Sequence, residues 1–164
     1  MQTSVSKVMY VVIWDRNVVI LLDFLEHGQT TKSNHDTATL TKLKVCSSRV
    51  RPETKKTFLL QHSNARPHTS LKTMEHIANL GWTILQHPLY SLDLVPSDFH
   101  LFGSMKYGLC GQYFPSNDAV IAAVQQWIIS TGADFYERNI QNLVHCWQKC
   151  TANRDDHAGK KVFC

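Results

Sequence analysis

The stretch that decides the fold of this chain is residues 87–102, which read HPLYSLDLVPSDFHLF. Pro88 and Pro96 each restrict the backbone, so the loop that they bracket is predicted to be stiff. Ser97 follows the second proline and is a favoured N-cap residue, which predicts a helix starting there. The helix has an apolar stripe of Leu101, Phe102, Met105 and Leu109. Asp98 falls in its first turn, where the helix dipole alone would favour an acidic side chain.

A second informative stretch is residues 59–69, which read LLQHSNARPHT. The apolar residues 58–60 predict a short buried strand that ends at polar residues. Asn64, Arg66 and His68 then form a polar cluster at the strand end. The residues by themselves predict a hydrogen-bonded loop that positions the next helix.

Working outward, the chain alternates short strands and helices. β-Branched and aromatic residues predict a hairpin from strands 8–14 and 18–24. The other predicted elements are a helix over 34–46, a helix with Leu71, Met74, Ile77 and Ala78 on one face that stops at Gly81, a strand over 82–85, and helices that start at Ser116 and Asp134. This order predicts an α/β layered domain over 1–152, followed by a polar tail over 153–164.

Length and composition fit one intracellular globular domain. The chain has 164 residues, of which 43% are hydrophobic and 18% charged. The apolar run 8–14 is far shorter than the roughly 20 residues that cross a bilayer, so no membrane span is expected. No secretory pattern is visible at the N-terminus, and five scattered cysteines are typical of reduced thiols. The net charge of +4 mildly favours an anionic partner.

Residues 59–69 and 87–102 together closely resemble the catalytic core of mariner-type (mariner/Tc1) transposases. The family patterns read roughly LLHDNARPH and HPPYSPDLAPSDYHLF. Three shorter matches add to the resemblance: Ile13-Trp14-Asp15 at a WWD turn, residues 135–138 and residues 147–150. The resemblance covers about residues 7–152, which is nearly the whole chain.

The resemblance implies an RNase H-like fold and the cleavage and joining of DNA ends with Mg²⁺ or Mn²⁺. Such chemistry uses two divalent ions roughly 3.5–4 Å apart, held by carboxylate oxygens. The family supplies three Asp residues for this purpose. Asp98 falls on the third position, and Ser63 stands at the second, with 34 residues between them. The first belongs to a TGDEKW-like stretch that this sequence lacks. We therefore expect an incomplete α/β RNase H-like fold that lacks the first strand and leaves strand edges unpaired.

Two missing carboxylates predict a degenerate transposase fragment without strand cleavage. Asp98 would then be a weak metal ligand at most, and no Mg²⁺ or Mn²⁺ is expected to bind. The candidate contacts to nucleic acid are Asn64, Arg66, His68, Lys55 and Lys56, although a basic stretch such as 42–56 is ordinarily a solvated face.

Two alternative functions stay open at this point. The chain could be a protein interaction module that forms a homodimer through a sheet edge or its C-terminal helices. It could also be a residual metal-dependent endonuclease in which Asp98 and substitute ligands hold one ion. A nuclear location is implied by the resemblance alone, and neither a membrane nor a small-molecule substrate is expected.

Overall fold

The computed structural model describes residues 8–26, 32–52, 58–63, 65–85 and 95–152. The elements in these ranges are β1 Tyr10–Trp14, β2 Val19–Phe24, α1 Ser33–Val50, β3 Leu59–Leu60, α2 Leu71–Asn79, β4 Thr83–Ile84, α3 Phe102–Leu109, α4 Asn117–Ser130 and α5 Ala133–Ala152. One π-helical turn, Ser97–Leu101, runs directly into α3. The element order matches the predicted one, and α1 continues beyond its predicted end at residue 46. The predicted loop between Pro88 and Pro96 and the tail from 153 lie largely or wholly outside the described residues.

Strands β1 and β2 form an antiparallel hairpin whose turn is closed by Asp15. The Oδ1 atom of Asp15 accepts hydrogen bonds from the backbone N–H groups of Asn17 and Val18 at 2.8 and 2.9 Å. Such side-chain-to-backbone bonds are the reason Asp is favoured in turns. Its Oδ2 atom lies 2.9 Å from Arg51 Nε, just after the end of α1. One carboxylate therefore shapes the turn and attaches it to the first helix.

Helix α2 connects β3 to β4, and these two strands are parallel. The Oγ atom of Ser70 accepts a hydrogen bond from the Thr73 N–H at 3.3 Å and caps the start of α2. The connection after α2 passes through Gly81, whose φ of +73° favours glycine. The rings of Phe58 and Trp82 stack at 4.4 Å beside the strand pair. The predicted stop at Gly81 is thus confirmed.

Helices α1 and α2 form one layer, and both strand pairs contribute to the core beneath it. The buried residues of this core are Leu21, Leu40, Leu43, Leu60 and Ile77.

Leu71 does not belong to this core, although the sequence pattern places it on the buried face of α2. Its exposed fraction is 83%. The buried face instead passes through Thr73 and Ile77, which lie on the far side of the helix from Leu71. Thr73 can occupy a buried position because its hydroxyl donates a 2.8 Å hydrogen bond to the carbonyl of Pro67. The prediction for Leu71 is therefore wrong.

Helices α3 and α5 cover the opposite face of the hairpin. The Tyr10 ring lies 6.0 Å from Phe102, and its hydroxyl donates to the sulfur of Met105 at 3.2 Å. The Trp14 ring lies 5.8 Å from the ring of Tyr136. The hairpin therefore has helices on both faces.

Within the described residues, the four strands form two separate two-stranded sheets. One is the β1–β2 hairpin and the other is the parallel β3–β4 pair. Together with the helices on their faces, these strand pairs confirm the predicted α/β class. No described helix is both long and apolar enough to cross a bilayer.

Candidate functional site

Ser63 lies just beyond the carboxyl end of β3 and is half-buried. The carbonyl of Leu60 accepts a 2.8 Å hydrogen bond from the N–H of Leu85, which fixes the end of β3 against the neighbouring strand. Directly before Ser63 in the chain, His62 contacts it through its ring: the Nδ1 atom of His62 lies 2.9 Å from the carbonyl oxygen of Ser63. A ring nitrogen bonded to a carbonyl has to donate, so this tautomer carries its hydrogen on Nδ1. Ser63 offers a neutral hydroxyl at the position where the resemblance expects a carboxylate.

The loop over residues 65–70 is organised by local hydrogen bonds. The carbonyl of Ala65 accepts two backbone N–H bonds from within the loop, at 3.0 and 3.1 Å. The 2.8 Å bond from Thr73 to the carbonyl of Pro67 ties the loop to α2. These bonds favour the interpretation in which the loop positions the next helix. Arg66 is exposed in this loop, and its contact with nucleic acid stays a prediction.

His68 contacts a buried carboxylate of α1. Its Nδ1 atom lies 2.8 Å from Oδ2 of Asp36. The exposed fraction of Asp36 is only 5%, whereas the His68 side chain is partly exposed. The ring of His62 lies 5.7 Å from the ring of His68. The end of β3, the following loop and the start of α1 therefore meet in one polar cluster.

Sequence reasoning missed Asp36. In the sequence it is an acidic residue in the first turn of a helix, which the helix dipole explains without any partner. The spacing was an available signal. Asp36 lies three and four residues before Thr39 and Leu40, so it shares a helix face with these two buried residues.

Asp98 lies in the π-helical turn before α3. This turn is attached to the hairpin because Nε1 of Trp14 donates a hydrogen bond to Oγ of Ser97 at 3.0 Å. The prediction that Ser97 is the N-cap is wrong, because Pro96 holds the cap position and Ser97 is the first residue of the π-helical turn. Asp98 therefore directly follows Ser97, which is attached to the hairpin. The side chain of Asp98 lies outside the part of the chain that the structure describes.

Four of the described carboxylates have basic partners. Asp15, Asp23, Asp36 and Glu137 each pair with a basic side chain. In the described parts of the chain, no group of three His, Cys, Asp or Glu side chains is placed to hold a metal ion. Mg²⁺ and Mn²⁺ are bound mainly by carboxylate oxygens, and the expectation that this chain binds neither ion stays a prediction.

Two basic residues of the stretch 42–56 serve the fold. The Nζ atom of Lys42 lies 2.8 Å from Oδ2 of Asp23 in β2, and Arg51 pairs with Asp15 in the hairpin turn. The Lys42 contact joins α1 to β2, and the Arg51 contact joins the end of α1 to the hairpin turn. These charges are therefore partly neutralised within the domain.

Other basic residues remain on the surface. Lys44 and Arg49 are exposed on α1. Lys55, Lys56 and Asn64, which the sequence nominates for nucleic-acid contact, lie outside the described residues. Their role stays a prediction.

Two tyrosines, one in β1 and one in α5, have raised pKa values. Burial raises the pKa of Tyr10 and of Tyr136 above the ordinary value, because the phenolate would lose hydration. Tyr10 has Met105 as a partner, whereas the buried hydroxyl of Tyr136 has no hydrogen-bond partner among the described atoms.

The chain is similar to known proteins of one kind. No family model matches it. It is 35% identical over 151 residues to the Mariner Mos1 transposase of Drosophila mauritiana, covering 90% of this chain and 44% of that protein. It is 32% identical over 147 residues to the human histone-lysine N-methyltransferase SETMAR, covering 88% of this chain and 22% of that protein. The chain thus spans less than half the length of either relative.

Solved structures give the same relationship. The crystal structure of the catalytic domain of Mos1 mariner transposase matches with a TM-score of 0.84 and 34% identity, over 93% of this chain and 76% of that one. The Mos1 transposase paired-end complex with left transposon end matches with a TM-score of 0.83 and 35% identity, over 90% and 43%. The Mos1 catalytic domain has also been solved with raltegravir and Mg or Mn. Because the chain covers more than two thirds of the Mos1 catalytic domain at over 30% identity, it belongs to the mariner transposase family.

Proposed function

We propose that this chain is a degenerate mariner-type catalytic domain that binds DNA weakly and neither cleaves nor joins DNA strands. The observation that carries the proposal is the neutral Ser63 hydroxyl at the end of β3, where the family pattern has a carboxylate. A nuclear location is part of the same proposal.

The loss of cleavage follows from the charge needed at the site. Two divalent cations roughly 3.5–4 Å apart repel each other strongly, and only anionic ligands offset that repulsion. Ser63 supplies no charge, and Asp36, in the neighbouring cluster, is already paired with His68. Of the three carboxylates in the family pattern, this sequence retains Asp98, and one carboxylate does not provide enough negative charge to hold both ions beside a phosphate.

Residual DNA binding is supported by the surface charge. The chain carries a net charge of +4, and Lys44, Arg49 and Arg66 are exposed. The related Mos1 transposase is known in a complex with its transposon end. Contacts between basic side chains and phosphates release counterions, so their affinity falls as salt rises. We therefore expect binding that is weak, insensitive to sequence and strongly dependent on salt.

The binding experiment is fluorescence anisotropy with a labelled DNA duplex at several salt concentrations. Replacing Lys44, Arg49 and Arg66 together by Glu should abolish binding. The matched control is Lys106→Glu, which reverses an exposed charge on α3, on the other face of the hairpin. An affinity that neither salt nor the triple replacement changes would contradict a DNA-binding role.

The cleavage experiment uses supercoiled plasmid with Mn²⁺ or Mg²⁺. We expect no nicking by the wild-type chain above the level of the Asp98→Ala variant. Nicking that depends on Mn²⁺ and disappears in Asp98→Ala would instead support the residual endonuclease.

A second candidate function is self-association without catalysis. The observation that favours it is the exposure of two aromatic side chains around the end of α3, Tyr107 at 86% and Tyr113 at 88%. Large exposed apolar side chains are typical of interaction surfaces. Sedimentation should then show a homodimer that Tyr107→Ser with Tyr113→Ser dissociates. Leu71→Ser, at an equally exposed position on α2, is the matched control.

A further inference from the structure

The two histidines of the polar cluster after β3, His62 and His68, carry their ring hydrogens on the same atom. Nδ1 of His62 lies 2.9 Å from the carbonyl oxygen of Ser63, and Nδ1 of His68 lies 2.8 Å from Oδ2 of Asp36. A carbonyl or carboxylate oxygen accepts a hydrogen and offers none, so each ring carries a hydrogen on Nδ1. In the neutral ring the lone pair is then on Nε2, which is the atom that can bind a cation.

The oxygen partners of the two rings are those that metal-binding histidines have in proteins. A histidine that binds a metal through one nitrogen directs its other N–H to a carboxylate, a backbone carbonyl or water, which fixes the tautomer and the direction of the ring. His68 has a carboxylate as this partner, and His62 has a carbonyl. Asp36 belongs to the first turn of α1, so the fold itself holds the carboxylate in place. Both rings are therefore oriented before any ion binds.

The two rings are close enough to share one ion. Their centroids are 5.7 Å apart, and their planes are inclined at 47°. Because a zinc–nitrogen bond is about 2.0–2.1 Å long, two imidazoles that bind one ion through Nε2 at a tetrahedral or wider angle have centroids roughly 5–6 Å apart. The observed separation lies within this range. Binding of one ion therefore requires little movement of the loop that carries His68.

Solvent reaches this histidine pair through His68. The side chain of His68 is 32% exposed, whereas Nε2 of His62 is buried, so an ion that binds both rings lies inside the cluster with water on its outer side. Within the described ranges, no third His, Cys, Asp or Glu side chain joins the pair in a metal-binding group, so water completes the coordination. Imidazole nitrogens favour Zn²⁺, Ni²⁺ and Cu²⁺, whereas Mg²⁺ favours carboxylate and water oxygens.

We propose that His62 and His68 bind one divalent transition-metal ion of the Zn²⁺ class through their Nε2 atoms, with Asp36 and the carbonyl of Ser63 as positioning groups. This site differs from the Mg²⁺ or Mn²⁺ site that the family resemblance implies, because its ligands are imidazole nitrogens and include neither the Asp98 nor the Ser63 side chain. The proposal is independent of the proposed function, because zinc binding requires neither DNA binding nor the loss of cleavage.

The binding experiment is isothermal titration calorimetry of the full chain with Zn²⁺ at neutral pH, without DNA. His62→Ala and His68→Ala should each weaken binding about tenfold or more, because each removes one of two protein ligands. The matched control is His145→Ala, which removes an exposed histidine on α5 and should leave the affinity unchanged. Unchanged affinity in both His62→Ala and His68→Ala, or an equal loss in His145→Ala, would overturn the proposal.

A second measurement uses the wild-type chain, so it does not depend on how the variants fold. In ¹⁵N NMR of the labelled imidazoles, Zn²⁺ should shift the Nε2 resonances of His62 and His68 while both rings keep their Nδ1 hydrogens. Shifts confined to other histidines would contradict the site.

The positioning role of Asp36 has its own test. Asp36→Asn should weaken Zn²⁺ binding about tenfold while the ion stays on the same Nε2 atoms, as expected for a group that orients a ligand. Excess Mg²⁺ should leave Zn²⁺ bound in the wild-type chain. Displacement of Zn²⁺ by Mg²⁺ would show that carboxylates hold the ion, and it would overturn the proposal.

Discussion

Asp36 shows how much a single buried carboxylate can contribute to this domain. It connects the first turn of α1 to His68 in the loop after β3, and it lies almost wholly out of contact with solvent. A buried charge without its partner is costly, so the pair holds the two segments together only while both members are present. Asp36 and His68 are far apart in the sequence, so their contact fixes how two distant segments pack against each other.

The variants Asp36→Ala and His68→Ala should each lower the free energy of unfolding by about 1–3 kcal/mol, the cost of leaving one partner of a buried polar pair unpaired. Urea unfolding monitored by tryptophan fluorescence measures this change. The control is Glu137→Gln, which removes an exposed ion pair with Arg16 and should have a much smaller effect. Equal effects of Asp36→Ala and Glu137→Gln would contradict the structural role of Asp36.

Tyr136 is the second residue whose environment makes a measurable prediction. It is 1% exposed, its hydroxyl has no described partner, and burial raises its pKa. The folded state therefore keeps the phenol proton to higher pH than the unfolded state. The associated stability is present below the ordinary tyrosine pKa of about 10 and is lost as the pH rises through the higher folded value.

Tyr136→Phe should therefore leave stability at neutral pH unchanged or slightly higher, because it removes an unpaired buried hydroxyl. It should also reduce the loss of stability between neutral and strongly alkaline pH. Thermal unfolding followed by circular dichroism at a series of pH values measures both effects. A steep loss of stability in Tyr136→Phe at neutral pH would mean that the hydroxyl has a partner.

At the scale of elements, the contact between α3 and α4 depends on one glycine. A Cβ atom placed on Gly108 would lie 2.7 Å from Nε1 of Trp127, whereas a Cβ atom on Gly103 would meet nothing within 4 Å. The sequence suggests only that Gly108 weakens the end of its helix. The structure shows that its missing side chain makes room for an indole ring.

The two glycines provide a matched pair of variants. Gly108→Ala should destabilise the domain by about 1–3 kcal/mol, because Trp127 has to move from its packed position. Gly103→Ala should stabilise it by about 0.5–1 kcal/mol through the higher helix propensity of alanine. Urea unfolding of both variants tests the prediction. Similar changes in both would show that helix propensity, and not the tryptophan contact, controls this position.

At the scale of the whole molecule, we expect the proposed inactivity to depend on more than the identity of one residue. Ser63 can be changed to a carboxylate, but the resemblance also expects a first Asp in a TGDEKW-like stretch, which the given sequence does not contain. We infer that the site cannot be restored by one substitution.

Ser63→Asp should therefore restore no Mn²⁺-dependent nicking or joining of DNA. The assay is plasmid nicking at several Mn²⁺ concentrations, with Ser63→Asn as the uncharged control of similar size. Cleavage by Ser63→Asp that is absent in Ser63→Asn would show that a single lost carboxylate accounts for the inactivity that we propose.

Several features of the fold could be predicted from local patterns alone. The strand and helix order, the hairpin, the Ser116 cap and the break at Gly81 all follow from residue preferences over short stretches, and the structure confirms them. Cap and turn preferences are local because the backbone groups that they satisfy lie within a few residues. The position of Asp98 in the first turn of a helical segment was also predictable, because Pro96 and Ser97 mark that turn.

The sequence by itself determined the family and the order of the elements, while the replacement of a family carboxylate by Ser63 stays a prediction from the family pattern. Only the tertiary structure decided the pairing of Asp36 with His68, the binding of the Trp14 indole by Ser97 and the exposure of Leu71. The physical reason is that these outcomes depend on contacts between segments far apart in the chain. Propensity and periodicity describe how a segment folds, whereas burial and partner choice depend on what the rest of the molecule places against it.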